Sequence, residues 1–135
     1  MKDLTKLTQE EFSELMIKNF PDIYIRERES EYELPTPFEL FYFETGDGWN
    51  NLLYKLSEDI KTYCDDHKLK LPIALQVKSK FGGLIFYINE TTKEVYDIIT
   101  KAENDSFNIC EKCGSTEDVT CKGSWITTLC KKCRE

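Results

Sequence analysis

The chain has 135 residues, 32% of them charged, and a formal net charge of −7. That length allows one compact domain and a small appended unit, but not two large domains. No stretch is apolar over the length of a membrane-spanning helix, and no segment has the clustered lysines and arginines that neutralise duplex DNA. We therefore expect neither a membrane-spanning helix nor binding to duplex nucleic acid.

The negative charge is concentrated in the amino-terminal part of the chain. Residues 1–47 contain twelve acidic and five basic side chains, whereas residues 48–107 contain nine and eight. Residues 108–135 contain four acidic and five basic side chains. The few basic residues near the carboxyl end are interpreted as a solvated face rather than as a nucleic-acid surface, because they do not form a strongly basic segment.

The first predicted elements are a helix and an aromatic extended segment. Thr8 and Glu11 have the spacing of a capping box, and apolar residues follow at helical spacing until Pro21 ends the helix. After a charged run, residues 38–44 form the most aromatic stretch of the chain. This composition predicts a strand or a buried extended segment.

The middle of the chain predicts a helix, a hairpin and another helix. An apolar stripe at spacings of three and four begins near Trp49 and continues to about His67. Residues 73–80 and 84–88 follow as two strands joined by a glycine turn. A second capping-box pattern begins at Thr91 and predicts the next helix.

These elements predict an α+β fold, in which a small antiparallel sheet is packed with helices and is followed by a four-cysteine zinc ribbon or knuckle. We expect residues 1–107 to form the α+β domain. Residues 108–135 contain too few apolar side chains for a core of their own, so we expect a zinc-binding segment packed on that domain.

Four cysteines near the carboxyl end carry the strongest chemical signal. Cys110 and Cys113 form one CxxC pair, and Cys130 and Cys133 form a second. Two such pairs can present four thiolates to one tetrahedral Zn²⁺, which predicts a structural zinc ion. Gly114 follows the first pair, where a positive φ lets the chain turn around the metal. A redox dithiol and free structural thiols are the alternatives, but redox sites have one CxxC at the start of a helix.

The amino-terminal sequence lacks the apolar run and the cleavage site of a secretory leader. We therefore expect a cytoplasmic location, where a reducing environment keeps thiols free and paired CxxC motifs hold metal.

The other cysteines and the histidine are weaker candidates. Cys121 lies between the two CxxC pairs, where it could replace a ligand, although packing is favoured. Cys64 and His67 share a helix face, and a catalytic pair there would still need an orienting group and a pocket. His67 is interpreted as a helix-end residue that complements the helix dipole.

Two glycine motifs supply a candidate ligand-binding surface. Its residues are an acid, an aromatic ring, two cations and two glycines: Asp47, Trp49, Lys78, Lys80, Gly82 and Gly83. Exposed glycine backbone beside a helix start, an indole and two ammonium groups would suit an anionic, ring-containing ligand. In the structural alternative, Asp47 caps a helix, Trp49 lies in the core and the glycines only form a hairpin. This alternative is favoured, because turn chemistry alone accounts for the glycines. The two motifs are predicted to lie near each other.

Several stretches together resemble a family of small phage and prophage proteins. They are Gly-Asp-Gly-Trp at 46–49, Gln-Val-Lys-Ser-Lys-Phe-Gly-Gly-Leu at 76–84, Cys-Glu-Lys-Cys-Gly at 110–114 and Trp-Ile-Thr-Thr-Leu-Cys at 125–130. The resemblance covers roughly residues 38–133. It implies a genomic setting, in the cytoplasm of a phage-infected host, in which accessory proteins act on host components, including immune factors. Relatives often end the metal motif differently, so the resemblance supports Cys133 least among the four ligands.

Two classes of function follow from these observations. The first is a non-catalytic binding module with a structural zinc site, which binds or sequesters a host protein or a small anionic metabolite. The second is a small enzyme that acts on a nucleotide-like anionic substrate. A zinc ion closed by four cysteines cannot activate water, and neither a second acid nor a usable histidine accompanies Asp47. The binding module is therefore favoured, and no catalytic residues are assigned.

Overall fold

The computed structural model describes residues 3–135 and has a mixed helical and sheet architecture. Short 3-10 helices at Leu4–Lys6 and Asp47–Trp49 accompany the main elements. None of the helices in the described part is both long and apolar enough to cross a membrane. In chain order, the helices and strands are α1 (Gln9–Asn19), α2 (Pro21–Tyr24), α3 (Pro37–Phe41), β1 (Phe43–Glu44), α4 (Asn50–Asp66), β2 (Ala74–Lys80), β3 (Gly83–Ile88), α5 (Lys93–Ser106), β4 (Val119–Lys122), β5 (Thr127–Cys130) and α6 (Lys131–Arg134).

The strands form two sheets, and the predicted α+β class is confirmed. The larger sheet has the order β1-β2-β3, and the smaller one is the hairpin β4-β5. β2 and β3 pair antiparallel, with Val77 opposite Phe86. β1 joins β2 in the parallel direction, with Phe43 opposite Val77. A parallel neighbour needs a crossover connection, and α4 provides it. The larger sheet is therefore mixed, with its hairpin antiparallel as expected.

One hydrophobic core lies between the larger sheet and the helices. The predicted stripe of α4 faces this core, since Leu53, Leu56 and Ile60 are at most 2% exposed. Aromatic rings fill the part of the core between α1 and β1, where the ring centroids of Phe12 and Phe43 are 5.0 Å apart. Burial of this apolar surface fixes α1 and α4 relative to the sheet and thereby positions the loops around residues 45–49 and 81–83.

Two of the predicted helix starts can be compared with the structure. In α1 the capping box is confirmed, because the Glu11 N–H donates to Thr8 Oγ1 at 3.1 Å and the Thr8 N–H donates to Glu11 Oε1 at 2.9 Å. In α5 the cap is Thr92 rather than Thr91, and its Oγ1 accepts from the Val95 N–H at 3.5 Å. The helix therefore begins one residue later than the motif predicts.

The prediction of a strand or a buried extended segment at residues 38–44 is wrong for most of that segment, which is helical. Thr36 and Glu39 form a second capping box, with bonds of 2.8 and 3.1 Å, and Pro37 occupies the first helical turn. This start signal outweighs the strand preference of the aromatic residues, and only Phe43–Glu44 form a strand. Tyr42 connects the two with φ 54° and ψ −130°, a backbone conformation that favours glycine.

The outer edge of β3 is covered by α5. The Leu84 N–H donates to Ser106 Oγ at 3.0 Å, and the Phe86 N–H donates to Glu103 Oε2 at 3.0 Å. Burial raises the pKa of the Glu103 carboxyl group, while its bond to Phe86 acts in the opposite direction. These contacts join the last helix of the domain to the sheet just before the chain enters the cysteine-rich segment.

Candidate metal centre and the adjoining cavity

The four predicted cysteines converge on one point. The sulfur atoms of Cys110, Cys113, Cys130 and Cys133 all lie within 4.8 Å of one another, and Cys113 Sγ is 3.7 Å from Cys130 Sγ. A tetrahedral Zn²⁺ with Zn–S bonds of about 2.3 Å requires sulfur pairs about 3.8 Å apart. The cluster therefore has the donor set and the dimensions of a metal site.

Local structure explains how the two pairs meet. Cys110 and Cys113 lie in the turn that follows α5, Cys130 ends β5, and Cys133 lies in α6. Gly114 has φ +84°, as the sequence predicts, and its N–H donates to the Cys110 carbonyl at 2.8 Å. The left-handed residue reverses the chain so that both sulfurs of the first pair face β5.

The electrostatics of the cluster also favour a cation. The Cys110 thiol is buried, which opposes ionisation, but backbone N–H groups of Cys130, Cys113 and Lys112 donate to its sulfur and lower its pKa to about 6. Hydrogen bonding to the Cys130 sulfur, together with burial, raises the pKa of the Cys133 thiol to about 12. Four sulfurs this close cannot all ionise without a positive charge among them, and a divalent metal supplies that charge.

A metal held here has a structural role. Protein sulfurs would fill all four positions of a tetrahedron, so no position remains for water or substrate. When bound, such an ion would neutralise the thiolates and hold the turn after α5 against the β4–β5 hairpin.

Glu111 joins the metal segment (residues 108–135) to the rest of the chain through its carboxylate and its carbonyl. One oxygen of its carboxylate accepts from the Gly46 N–H at 2.9 Å, and the other accepts from Ser79 Oγ at 2.9 Å. The Glu111 carbonyl accepts from the Gly48 N–H at 2.8 Å. Glu111, which lies between two metal-ligand positions, thus bonds to the loop before α4 and to β2 at once.

The two glycines of the Gly-Asp-Gly-Trp motif permit this close approach. A Cβ atom on Gly46 would overlap the Glu111 backbone, and one on Gly48 would overlap the Cys110 carbonyl and lie 2.6 Å from the Gly114 nitrogen. Both motif glycines are therefore explained by the contact of backbone with backbone.

The other motif residues make a second set of contacts to the same segment. Trp49 is fully buried, and its Nε1–H donates to the Ile109 carbonyl at 2.9 Å. The Gly82 carbonyl accepts from Thr128 Oγ1 at 2.6 Å, and a Cβ on Gly82 would lie 2.5 Å from Cys121 Sγ. A Cβ on Gly83 would overlap the ring of Phe107. Trp49 and these two glycines hold the structure together and are not accessible to a ligand.

We expect the replacement Glu111→Ala to destabilise the protein by about 2 kcal/mol, because two hydrogen bonds to a charged carboxylate are lost together. Urea unfolding followed by circular dichroism measures this change. Glu117→Ala, at an exposed position of the same segment, is the matched control and should change stability by less than about 0.5 kcal/mol. Equal effects of the two replacements would contradict the role assigned to Glu111.

Asp47 and Lys80 lie on the same side of the molecule. They line a cavity of about 910 Å³ between the loop before α4, the end of β2 and the β4–β5 hairpin, which we call the hairpin cavity. Lys112 and Trp125 line the same cavity. Asp47 Oδ1 accepts from Gln9 Nε2. Asp47 thus contributes a partnered carboxylate to the cavity rather than a free base.

Lys78 is not part of the hairpin cavity lining. Its ammonium lies 6.0 Å from the centroid of the Tyr87 ring, on the face of the sheet formed by β2 and β3. The Lys80 ammonium lies 5.7 Å from the centroid of the Phe81 ring. The candidate surface therefore keeps only Asp47 and Lys80 of its six residues as cavity-lining side chains.

Sequence reasoning missed the aromatic residues of this surface. Trp125, in the turn of the β4–β5 hairpin, is 86% exposed, and Phe81 is 70% exposed. Ile126 lies beside them in the cavity wall. Phe81 also has φ +52°, and its carbonyl accepts a 3.6 Å hydrogen bond from Cys121 Sγ. The signal available in the sequence was a tryptophan in the short turn between the two metal-ligand pairs. A turn has no core of its own, so a tryptophan there indicates an exposed ring.

The remaining candidates have structural roles. The Cys64 thiol is buried, which raises its pKa, and the nearby Asp65 charge adds to this shift. His67 stacks on Tyr63 at 4.0 Å between ring centroids. Cys121 lies outside the four-sulfur cluster.

Arg134 is likewise a structural residue of the hairpin. Its guanidinium donates to the carbonyls of Thr120 and Thr127 at 2.6 and 2.7 Å. It therefore ties β4 to β5.

Comparisons with protein-family models, with curated proteins and with solved structures found no match for this chain. The resemblance to phage and prophage proteins rests on the motifs alone.

Proposed function

We propose that this chain is a non-catalytic binding module in which a structural Zn²⁺ supports a hairpin that recognises a partner protein. The observation that carries the proposal is the exposure of Trp125, whose side chain is 86% accessible at the tip of the β4–β5 hairpin. Exposed tryptophans on rigid supports are typical hot spots of protein interfaces, because they bury a large area at little entropic cost. Together with Phe81 and Ile126, Trp125 forms what we call the hairpin surface.

Hydrogen bonds and the four cysteines hold the hairpin that carries the hairpin surface. Thr128 bonds to the Gly82 carbonyl, and Arg134 joins the two hairpin strands through the carbonyls of Thr120 and Thr127. The four cysteines fix the base of the hairpin. A surface held in this way loses little conformational entropy when a partner binds, which favours affinity.

The charge distribution and the resemblance suggest what kind of partner binds. The hairpin surface combines aromatic rings with the nearby ammonium groups of Lys80 and Lys112. This composition suits a protein patch with an apolar centre and acidic margins. If the resemblance to phage and prophage proteins holds, the partner is a host protein, the location is the host cytoplasm and one possible role is interference with host defence.

Sequestration of a small anionic metabolite is the second candidate, and the hairpin cavity favours it. Its volume of about 910 Å³ is within the usual range for small-molecule sites. Lys80 and Lys112 could pair with an anionic group while Trp125 stacks on a ring. Catalysis on a nucleotide-like substrate is less well supported, because the Asp47 carboxylate is partnered by Gln9 and His67 lies outside the cavity lining.

We expect Trp125→Ala to weaken partner binding by about 30-fold or more, the loss typical of a hot-spot tryptophan. Stability should change by less than about 0.5 kcal/mol, since the side chain is exposed. The wild-type protein, purified from its natural host and analysed by native mass spectrometry, identifies the partner, and isothermal titration then measures the affinity of each variant. Tyr32→Ala is the matched control, because Tyr32 is also 86% exposed but is remote in sequence.

Lysine variants separate the two candidates. If a small anion is the ligand, it copurifies with the protein and Lys80→Ala releases it, whereas Lys78→Ala does not. If a protein partner stays bound to the Trp125→Ala variant with unchanged affinity, the proposed function is wrong.

A further inference from the structure

A second groove adjoins the hairpin cavity, since Gln9 lines both, and it lies between α1 and the segment that joins α3 to β1. Its volume is about 1080 Å³, and Ile17 lines it on the α1 side. Phe41 and Tyr42 line the opposite side and are 62% and 47% exposed. Large apolar side chains grouped in a groove indicate a binding surface more strongly than apolar residues scattered singly do.

The margins of this groove are acidic. Glu10 and Glu14 follow one another along the exposed face of α1, and Glu44 stands on the opposite wall. Among the described residues that line it, Lys18, at the end of α1, is the one basic residue. The groove belongs to the part of the chain in which acidic residues far outnumber basic ones. An apolar floor between acidic margins is complementary to a segment with apolar anchors and flanking lysines or arginines.

The dimensions fit a short peptide segment. The lining residues of α1 run from Gln9 to Lys18, which corresponds to a helical rise of about 13.5 Å. That length accommodates about two and a half turns of a bound helix. Phe41 and Tyr42 form the wall opposite α1, which the apolar face of such a helix would contact.

The backbone at Tyr42 supports a binding role for its side chain. Its φ of 54° and ψ of −130° favour glycine, so the tyrosine is kept at a conformational cost. The ring of Tyr42 lies 5.8 Å from that of Phe38, edge to face, while nearly half of the residue stays exposed. A glycine would relieve the backbone and would remove the aromatic wall of the groove.

We infer that this groove, lined by Glu10, Glu14, Ile17, Phe41, Tyr42 and Glu44, binds a basic amphipathic segment of a partner protein. This acidic groove is distinct from the hairpin surface and does not depend on it. The occupant presents one or two large apolar side chains to Phe41 and Tyr42, and its lysines or arginines pair with the glutamates of α1 and β1.

The test uses a defined probe, a labelled amphipathic peptide of lysine and leucine about 14 residues long, and a counterpart with glutamate in place of lysine. Fluorescence anisotropy measures both peptides with the full chain in its metal-bound form. We expect the lysine peptide to bind with a dissociation constant that rises with salt, and the glutamate peptide not to bind. If the lysine peptide does not bind, the inference is wrong.

Variants locate the binding. The pair Glu10→Gln and Glu14→Gln should weaken binding of the lysine peptide by about tenfold or more, and so should Phe41→Ala. The pair Glu29→Gln and Glu31→Gln removes the same charge from an exposed segment elsewhere and should have little effect. Equal losses from both pairs, or no loss from Phe41→Ala, would mean that the peptide responds only to net charge and would overturn the inference.

Tyr42→Gly distinguishes binding from a structural role. We expect it to raise the melting temperature or to leave it unchanged while it lowers peptide affinity, because the strained backbone is relieved and the aromatic wall is lost. A fall in both quantities would contradict the role assigned to Tyr42. Trp125→Ala should leave binding of this peptide unchanged, so the outcome does not depend on whether the proposed function of the hairpin surface is correct.

Discussion

One Zn²⁺ per chain is expected to copurify with the protein, and its removal by a strong chelator is expected to unfold residues 108–135 before the rest. The reason is that this segment buries few apolar side chains besides the cysteines themselves. Structural zinc sites of this kind contribute about 10–16 kcal/mol of apparent binding free energy, which is also folding free energy for the segment. Metal analysis gives the stoichiometry, and hydrogen exchange measured by mass spectrometry reports the order of unfolding.

Cysteine variants test the ligand set. Cys113→Ser and Cys130→Ser should each lose the metal, whereas Cys121→Ser should keep it, because Cys121 lies outside the four-sulfur cluster. Disulfides between the two CxxC pairs would contradict the prediction, and so would a metal-free protein in which residues 108–133 remain protected from exchange. If metal analysis found iron in place of zinc, the predicted ligand set would stand and the predicted metal would be wrong, since four thiolates also suit iron.

Gly48→Ala is expected to have the second-largest effect, a destabilisation of about 3 kcal/mol, typical of severe overpacking. The new methyl group would meet the Cys110 carbonyl and the Gly114 nitrogen, which are backbone atoms that cannot move aside without distorting the metal loop. Chemical unfolding measures the loss, and metal analysis shows whether the loop still holds its ion.

Gly123→Ala supplies the comparison for this prediction. Gly123 has φ +116°, a backbone conformation that disfavours alanine, but unlike Gly48 it lies exposed in the hairpin turn. We expect it to cost only about 1–2 kcal/mol, the strain of a left-handed residue. If Gly48→Ala were no more destabilising than Gly123→Ala, the close contact between the metal loop and the start of α4 would not be an important source of stability.

The parts of the structure that sequence predicted correctly are those with local signals. The capping box at Thr8, the apolar stripe of α4 and the glycine turn between β2 and β3 each depend on residues close together in the chain. The metal cluster joins two segments that are far apart in the chain. It was still predictable, because the spacing of the two CxxC pairs is itself a chemical signal.

The errors have two different causes. At residues 38–44, two local signals disagreed, and the capping box with Pro37 prevailed over the strand preference of the aromatic run. The omission of Trp125 has another cause: sequence reasoning left Trp49 open between core and binding surface and made no prediction for Trp125, since burial depends on tertiary contacts that no local pattern encodes. Trp49 is enclosed because the metal segment covers it and accepts its indole N–H, whereas nothing covers Trp125 among the described residues.

The contact between Glu111 and the glycine loop could not have been predicted from the sequence. It joins residues that are far apart in the chain, and the spacing of Gly46 and Gly48 is equally compatible with a ligand-binding turn. A glycine pair beside a helix start therefore indicates close approach of some group, and only the fold shows that the group is another backbone.

The closed edge of β3 also affects how the protein behaves at high concentration. An uncovered outer strand is a template on which further copies can add, and proteins with long free edges polymerise. Here the amides of Leu84 and Phe86 are already bonded to Ser106 and Glu103, so an incoming strand would first have to displace α5. The opposite edge is the two-residue strand β1, which is too short to seed a fibril. The fold therefore resists strand-mediated aggregation at both edges of its larger sheet, even at high protein concentration.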